Sequence, residues 1–220
     1  MRNIWFTSDT HYDHSNIIRF SRRPQFQEGD VKINDQGKEV WVSQDIAERR
    51  VRDMNEMLVS NFNELVNPGD EVWHLGDFCM AKRDTQERTE YFARRLNDQL
   101  NWVFGNHDHS AARKAEGFQS KSYFHTLRSV GINKAPIILC HYAMRVWDRR
   151  QYGAIQLYGH SHGNLPEASN ALSFDVGVDC HDYKPIHLDD VLSYCIKKRD
   201  KLDSKGINWK GEDHHGVSGR

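Results

Sequence analysis

The sequence has little cysteine and almost no net charge. Its four cysteines, at positions 79, 140, 180 and 195 of 220, are widely scattered and include no Cys-x-x-Cys pair. Buried free thiols in a reducing compartment are therefore expected. The formal net charge of -1 provides no global field for polyanions, so we expect no binding of long nucleic acid or of acidic membrane surfaces.

Long hydrophobic runs and a recognisable targeting segment are also missing. No apolar stretch approaches the roughly 20 residues that a membrane-spanning helix needs. A predicted strand begins close to the N-terminus, at Ile4, without the pattern of a signal peptide. The sequence therefore predicts a soluble, cytoplasmic protein that does not interact with membranes.

The length predicts one domain, over residues 1–199. Within it, residues 21–42 have no clear periodicity and are predicted to form an irregular insertion or hairpin near the site. Residues 200–220 are polar and charged and are predicted to be a disordered or loosely attached tail. Strands alternate with helices up to about residue 117, which favours parallel β-α-β units, and short strands follow, which favours a second sheet packed on the first.

Individual elements can also be predicted. Ser43 precedes a helical stripe of apolar residues and is expected to cap a long helix that ends near Glu64. Among the short strands of the second half we expect one at Ser129–Asn133 and one at Pro136–Cys140.

What the sequence does have is histidine, 13 in all, and a repeated pattern at predicted strand ends. Five apolar stretches each end in a glycine or a turn and then present Asp, Asn or His. They lead into Asp9-Thr10-His11, Gly76-Asp77, Gly105-Asn106-His107-Asp108, His141 and Gly159-His160-Ser161-His162. Neighbouring strand ends meet at one edge of a sheet, so these side chains can converge. Each motif alone also suits a side chain satisfied in a turn, but together they predict a site where Asp77 bridges two metal ions.

In this order the motifs resemble the signature of the calcineurin-like metallophosphoesterase superfamily, which is DxH, GD, GNH[DE], H and GHxH. The resemblance spans residues 9–162 and lacks no ligand position. The segment His14-Ser15-Asn16-Ile17-Ile18 is also similar to a small bacterial and phage branch of that family. The resemblance implies an α/β fold, a four-layer α/β/β/α sandwich of two mixed β-sheets flanked by helices.

The resemblance also implies the ligand set of a dinuclear metal centre. One ion is assigned to Asp9, His11 and His162, the other to Asn106, His141 and His160, with Asp77 between them. This mixed nitrogen and oxygen set does not select one metal. Mn²⁺ is the preferred candidate, and Fe, Zn²⁺ and Ni²⁺ are alternatives.

The implied reaction is hydrolysis of a phosphomonoester or phosphodiester by metal-bound hydroxide. His107 is expected to act as the acid at the leaving oxygen or as a donor to the phosphate. Asp108 is expected to orient His107 or to support its turn.

Substrate contacts are predicted near the motifs, from His14, Arg22, Arg23 and Arg145, with Trp147 as a stacking surface for a base. The alternatives are ordinary surface arginines and a core tryptophan. A compact chain favours a small phosphorylated substrate, with nucleotides among the candidates. The competing interpretations are a phosphoprotein phosphatase and a non-catalytic metal-binding scaffold. The complete ligand set disfavours the scaffold.

Overall fold

The computed structural model describes residues 3–210 and contains eleven strands and five α-helices over that range. The strands are β1 (Ile4–Thr7), β2 (Val31–Ile33), β3 (Glu39–Trp41), β4 (Glu71–His74), β5 (Leu100–Val103), β6 (Ser120–Ser122), β7 (His125–Leu127), β8 (Ile137–Leu139), β9 (Ile155–Tyr158), β10 (Ser173–Asp175) and β11 (Ile186–His187). The helices are α1 (Ser15–Phe20), α2 (Gln44–Leu65), α3 (Thr85–Ala93), α4 (Ser110–Lys114) and α5 (Leu188–Ser204).

Two larger sheets form the centre of the molecule. The first has the order β11-β1-β4-β5-β6, with β1, β4, β5 and β6 parallel and β11 antiparallel to β1. The second has the order β10-β9-β8-β7, with β8, β9 and β10 parallel and β7 antiparallel. These mixed sheets and their flanking helices confirm the predicted fold class.

The main hydrophobic core unites the two sheets. Alternate residues along the strands contribute to it, as the two-residue repeat of a strand requires, for example Ile4 and Phe6 from β1 and Ile155 and Leu157 from β9. Apolar residues of α5, among them Val191, join the same core. Burial of these apolar side chains therefore holds the two sheets and α5 together.

A second core joins the first sheet to the helices α1 to α4. Met54, Leu58 and Phe62 recur on one side of α2 and pack in a cluster with Val72 and Trp102 of the sheet. As predicted, the Ser43 hydroxyl caps α2, accepting a hydrogen bond from the backbone N–H of Ile46 at 3.3 Å. The helix runs one residue beyond the predicted end, to Leu65.

Two predictions of local structure, a hairpin and a strand, can be compared with the observed elements. The segment 21–42 does contain a hairpin, in which β2 and β3 pair antiparallel. The predicted strand at Ser129–Asn133 is wrong, because a short 3₁₀ helix, Ile132–Lys134, takes its place. Asn133 and Lys134 have φ values of 52° and 62°, which interrupt an extended chain.

The C-terminal boundary also differs from the prediction. Helix α5 continues to Ser204, and Trp209 is only 7% exposed and donates a hydrogen bond to Asp203. The prediction of a loose tail that starts at residue 200 is therefore wrong for residues 200–210, because Leu202 and Trp209 join the main core. The rest of the predicted tail, residues 211–220, lies outside the described residues.

Two predictions drawn from what the sequence lacks concern membrane-spanning helices and cysteines, and both can be checked over residues 3–210. None of the helices within 3–210 has both the length and the hydrophobicity required to cross a bilayer. The cysteines are free, as expected, and Cys79 and Cys195 are buried. Cys180 is exposed, so burial was wrongly predicted for that thiol.

Candidate functional site

Five loops meet at the carboxyl ends of β1, β4, β5, β8 and β9. Backbone hydrogen bonds tie the loop after β1 to the loop after β4, from Asp9 N–H to Gly76 O at 2.9 Å and from His11 N–H to Asp77 O at 3.0 Å. The loops after β8 and β9 are joined by a bond from Gly159 N–H to the His141 carbonyl at 3.0 Å. The motifs that are distant in sequence therefore lie together.

Glycines allow these loops to approach closely. A Cβ on Gly76, where φ is +97°, would lie 2.4 Å from the backbone nitrogen of Gly105. A Cβ on Gly159 would lie 2.1 Å from the Ser8 hydroxyl and 2.2 Å from an Asp9 carboxylate oxygen. Real side chains do not tolerate such contacts, so both positions require glycine.

Asp9, His11 and His162 form one candidate metal-binding group, with ligand atoms that all lie within 4.8 Å of one another. Asp9 is fully buried, and its carboxylate oxygens accept from the His160 N–H at 3.0 and 2.9 Å. Both ring nitrogens of His11 are buried and lack a hydrogen-bond partner within residues 3–210. A buried imidazole without partners is costly, and a cation at this point would satisfy it.

Asp77, His141 and His160 form a second group that meets the same distance criterion. His141 is buried, and its Nδ1 donates to the Leu75 carbonyl at 2.7 Å, which leaves Nε2 free to act as a ligand. That Nε2 atom lies 3.0 Å from the side-chain oxygen of Asn106. The amide oxygen of Asn106 is therefore placed beside the second group.

The Asp77 carboxylate lies between the two groups. Its Oδ2 atom is 3.5 Å from His11 Nε2 and also 3.5 Å from His141 Nε2. Its Oδ1 atom accepts a hydrogen bond from the His107 backbone N–H at 2.8 Å, which fixes the carboxylate plane. One oxygen is thus directed towards donors of both groups, the geometry that a bridging ligand needs.

Burial shifts the protonation of these groups. Burial raises the pKa of Asp9 to about 8, with His162 opposing the shift and Asp77 adding to it. Burial also lowers the pKa of His141 to about 4 and that of His11 well below its ordinary value. Neutral imidazoles are competent metal ligands, and a cation would stabilise the ionised form of the buried carboxylates. The donor set therefore fits divalent cations.

The backbone is strained where these side chains are presented. Asp9, His11, Asp77, His160 and His162 have φ values of 59°, 49°, 56°, 70° and 47°. Residues other than glycine rarely adopt this left-handed region, and such strain clusters at functional sites, where the surrounding structure maintains it. The hydrogen bonds between the loops supply that support.

His107 and Asp108 lie in the turn after β5. The His107 ring is half-buried, and its centroid is 5.5 Å from that of His11. Asp108 is fully buried, and its carboxylate accepts from the backbone N–H groups of Asp77, Phe78 and Gly105 at 2.8, 2.9 and 2.7 Å. These bonds give Asp108 the second of its two expected roles, support of the turn, and place it among the catalytic residues only through that support.

The predicted substrate contacts have different environments. His14 remains a candidate, since its ring centroid is 5.5 Å from that of His11. Arg145 is exposed, and Arg22 is half-exposed and paired with Glu39, so their substrate contacts stay predictions. Substrate contact by Arg23 is wrong, because that side chain is 1% exposed and fully hydrogen-bonded inside the protein.

Trp147 is a core residue and not a stacking surface. It is 8% exposed, clusters with Ile138 and Ala171, and donates from Nε1 to the Ala154 carbonyl at 2.9 Å. The alternative that the sequence left open, a core tryptophan, is the observed one.

Two supporting residues were not recognised in the sequence as part of the site. Asp179 Oδ2 accepts from His162 Nδ1 at 2.7 Å, and this bond raises the His162 pKa against the effect of burial. His74 bridges two of the loops by hydrogen bonds to Thr10 Oγ1 and from Gly76 N–H. Asp179 follows residues 173–178, which contain no motif that would have identified it as part of the site.

A groove lies alongside the site, bordered by the chain on either side of His14 and by the segment that precedes α3. Its volume is about 320 Å³, at the small end of the range for ligand pockets. Val51 and Ala81 form part of its wall, and its exposed charged residues are three cations, Arg52, Lys82 and Arg83, and one carboxylate, Glu48.

Known proteins resemble this chain over most of its length. A family model described as the calcineurin-like phosphoesterase superfamily domain matches residues 3–175. The uncharacterized protein MJ1445 of Methanocaldococcus jannaschii is 26% identical over 202 residues, which are 90% of this chain and 93% of that protein. The crystal structure of AQ665 from Aquifex aeolicus, a protein of unknown function, superposes with a TM-score of 0.58 at 21% identity, covering 92% of this chain and 100% of that one. The extent of the family match, together with the converging motifs, shows that this chain belongs to the calcineurin-like phosphoesterase superfamily.

Proposed function

We propose that this protein hydrolyses a small phosphorylated substrate with two divalent cations held by the predicted ligand set. The observation that supports this most strongly is the position of Asp77 Oδ2, 3.5 Å from a ring nitrogen in each of the two candidate groups. Membership of a phosphoesterase superfamily supports the general activity. The ligand set is Asp9, His11, Asp77, Asn106, His141, His160 and His162.

The cations and the protein contribute different parts of the chemistry. When bound, two divalent cations supply a water of lowered pKa and positive charge for the phosphoryl oxygens. The mixed imidazole, carboxylate and amide donors suit Mn²⁺, our preferred candidate. The protein residues orient the donors through hydrogen bonds, such as that from His141 Nδ1 to the Leu75 carbonyl, which leaves Nε2 free as a ligand.

His107 is the proposed proton donor to the leaving oxygen. Its backbone N–H donates a hydrogen bond to Asp77 Oδ1, so the turn that carries the ring is held against the residue that would bridge the cations. Its ring is half-buried and therefore accessible to a substrate at the site. An imidazole can transfer a proton near neutral pH, as this role requires.

The groove beside His14 is the proposed position of the remainder of the substrate. Lys82 and Arg83 are exposed there and offer charge-assisted hydrogen bonds to an anionic group. This arrangement favours a substrate that carries a second anion beyond the reacting phosphate, and nucleotides are candidates of that kind. A volume of about 320 Å³ suits a small molecule.

Hydrolysis of mono- and bis-para-nitrophenyl phosphate with added Mn²⁺ tests the proposed activity. We expect turnover of at least one ester by the wild type. Asp77→Ala should lose both bound metal and turnover, because it removes the shared carboxylate. His107→Ala should keep the metal but lose about 10²–10⁴-fold in kcat, the usual contribution of a general acid. Metal content measured on both variants separates the two effects.

Full turnover by Asp77→Ala would contradict the proposal. Metal-loaded wild type that hydrolyses neither ester would favour the non-catalytic scaffold, whereas activity on phosphopeptides alone would favour the phosphoprotein phosphatase.

The groove makes a prediction about affinity. In a screen of nucleotides and small phosphorylated metabolites, Lys82→Ala and Arg83→Ala should each raise KM for the preferred substrate by about tenfold, equal to about 1.4 kcal/mol. kcat should change little, because neither residue belongs to the proposed metal centre. Arg199→Ala, which removes an arginine paired with Asp200 on α5, is the control and should leave KM unchanged. Unchanged KM in both groove variants would contradict the assignment.

A further inference from the structure

Arg23 is an arginine with an unusual environment, buried beside the candidate metal centre. Its side chain is completely inaccessible, and every donor of its guanidinium has a partner. Nε and Nη2 donate to the two carboxylate oxygens of Asp179, both at 2.9 Å. Removing both charges of such an ion pair from water costs free energy that can exceed the gain from their attraction. A gain in stability alone is therefore a poor explanation for this buried pair.

The other donors of Arg23 connect it to the first motif. Nη2 donates to the Asp9 carbonyl at 2.7 Å, and Nη1 donates to the Thr10 carbonyl at 2.9 Å. These carbonyls belong to the strained loop that presents Asp9 and His11. Arg23 thus holds the backbone from which two proposed ligands project.

Asp179 extends the same arrangement to the last motif. Its Oδ2 atom accepts from His162 Nδ1 at 2.7 Å while it also accepts from Arg23. When Nδ1 carries the proton, Nε2 of the imidazole remains free to bind a cation. One buried ion pair therefore contacts the chain on both sides of the group Asp9, His11 and His162.

We propose that Arg23 and Asp179 act as one positioning unit that assembles the Asp9–His11–His162 site and is not required for the other site. This inference rests on the proposed dinuclear centre. The second group has its own support, since His141 is oriented by the Leu75 carbonyl and Asp77 by the His107 N–H. Loss of the unit should consequently affect one cation and spare the other.

Two substitutions test this selectivity. Asp179→Asn removes the charge that links Arg23 to His162. Arg23→Lys keeps a buried positive charge but has three donors in place of five, so it cannot serve all the acceptors at once. Arg23→Lys also allows the test to be made if Asp179→Asn does not fold.

Asp30→Asn is the matched control. It disrupts another largely buried carboxylate–arginine pair, Asp30 with Arg50, which are 2.6 Å apart and join the residue before β2 to α2. A general effect of breaking a buried ion pair would appear in this variant as well.

The experiment is titration of the metal-free full-length protein with Mn²⁺, followed by calorimetry and by electron paramagnetic resonance, with folding checked by circular dichroism. The wild type and Asp30→Asn should bind two Mn²⁺ and show the spectrum of a spin-coupled pair. Asp179→Asn and Arg23→Lys should bind one Mn²⁺ normally and the other about 10–100-fold more weakly, with an uncoupled spectrum at one equivalent.

The outcomes separate this inference from the proposed function. Folded Asp179→Asn and Arg23→Lys variants that bind both ions with wild-type affinity, or that lose both ions equally, would overturn the positioning role. A wild type that binds fewer than two Mn²⁺ would instead contradict the proposed dinuclear centre.

Discussion

At the scale of single residues, the site depends on neighbours that fix the protonation and orientation of each proposed ligand. His74, which is not a proposed ligand, shows how neighbouring groups fix the protonation of a side chain. Its Nε2 donates to Thr10 Oγ1 at 3.0 Å because that hydroxyl already donates to the Phe78 carbonyl, and its Nδ1 accepts from Gly76 N–H at 3.2 Å. Only the neutral ring can make both bonds, and burial lowers its pKa to about 3.

This environment predicts a specific loss of stability in acid. The unfolded chain protonates His74 near pH 6.5, whereas the folded protein resists protonation down to about pH 3. The stabilisation is therefore fully present above pH 6.5 and is lost as the pH falls towards 3, by about 2 kcal/mol between pH 7 and pH 5. Urea unfolding of the metal-free protein at both pH values measures it.

His74→Gln provides the comparison, because it cannot titrate. Its free energy of unfolding should be lower overall but should fall by about 2 kcal/mol less between pH 7 and pH 5 than that of the wild type. Equal pH dependence in the two proteins would contradict the account of His74.

Sequence reasoning at this scale named residues that the fold brings together, but it did not find the residues that support them. Asp9, Asp77 and His160 stand in motifs whose glycines and strand ends are visible in the sequence. Arg23 was assigned to the substrate because an arginine near a phosphate site suits that role, and only the fold reveals its burial against Asp179. Partners separated by 156 residues cannot be paired from one sequence.

At the scale of elements, the loops that follow the strands carry the candidate metal ligands, and their close approach limits which residues they tolerate. The turn at Gly76 passes within contact distance of the backbone at Gly105, and the Asp108 carboxylate caps both loops by accepting three backbone hydrogen bonds. Alternation of strands and helices was predictable because β1, β4 and β5 each contain adjacent apolar residues. The 3₁₀ turn at Ile132–Lys134 was not, because its left-handed residues give no clear pattern.

Alanine substitutions at two glycines test the importance of the close contact between these loops. Gly76 and Gly69 have nearly equal φ values, +97° and +94°, but a Cβ on Gly69 would have no atom within 4 Å. Gly69→Ala should cost about 1 kcal/mol from backbone strain alone. Gly76→Ala should cost at least about 2 kcal/mol more and should weaken Mn²⁺ binding, because the loops must separate. Thermal unfolding and Mn²⁺ titration compare them, and equal effects of the two substitutions would contradict the packing argument.

At the scale of the whole molecule, one core connects the two sheets to the C-terminal helix. The division into two packed sheets was predictable from the change in strand pattern near residue 117. The extent of the domain was not, because residues 200–210 are polar on average and only Leu202 and Trp209 are buried among them. Burial of two isolated residues leaves no periodic signal in such a segment.

Trp209 should therefore stabilise the domain without taking part in the reaction. Trp209→Ala should lower the free energy of unfolding by about 3–5 kcal/mol, the usual cost of removing a large buried side chain. Tyr123→Ala, at a residue 65% exposed, is the control and should cost far less. Chemical denaturation measures both, and metal-supported turnover below the unfolding temperature should be retained. A loss as small as that of Tyr123→Ala would show that the chain beyond α5 is not part of the core.

The most direct test of the central claim is anomalous X-ray diffraction from crystals of the protein loaded with Mn²⁺. We predict two anomalous peaks about 3.5–4 Å apart, the usual separation in two-metal phosphoesterase sites, with the Asp77 carboxylate in contact with both. One peak should lie among Asp9, His11 and His162, and the other among Asn106, His141 and His160. A single peak, or two peaks that do not share Asp77, would contradict the account.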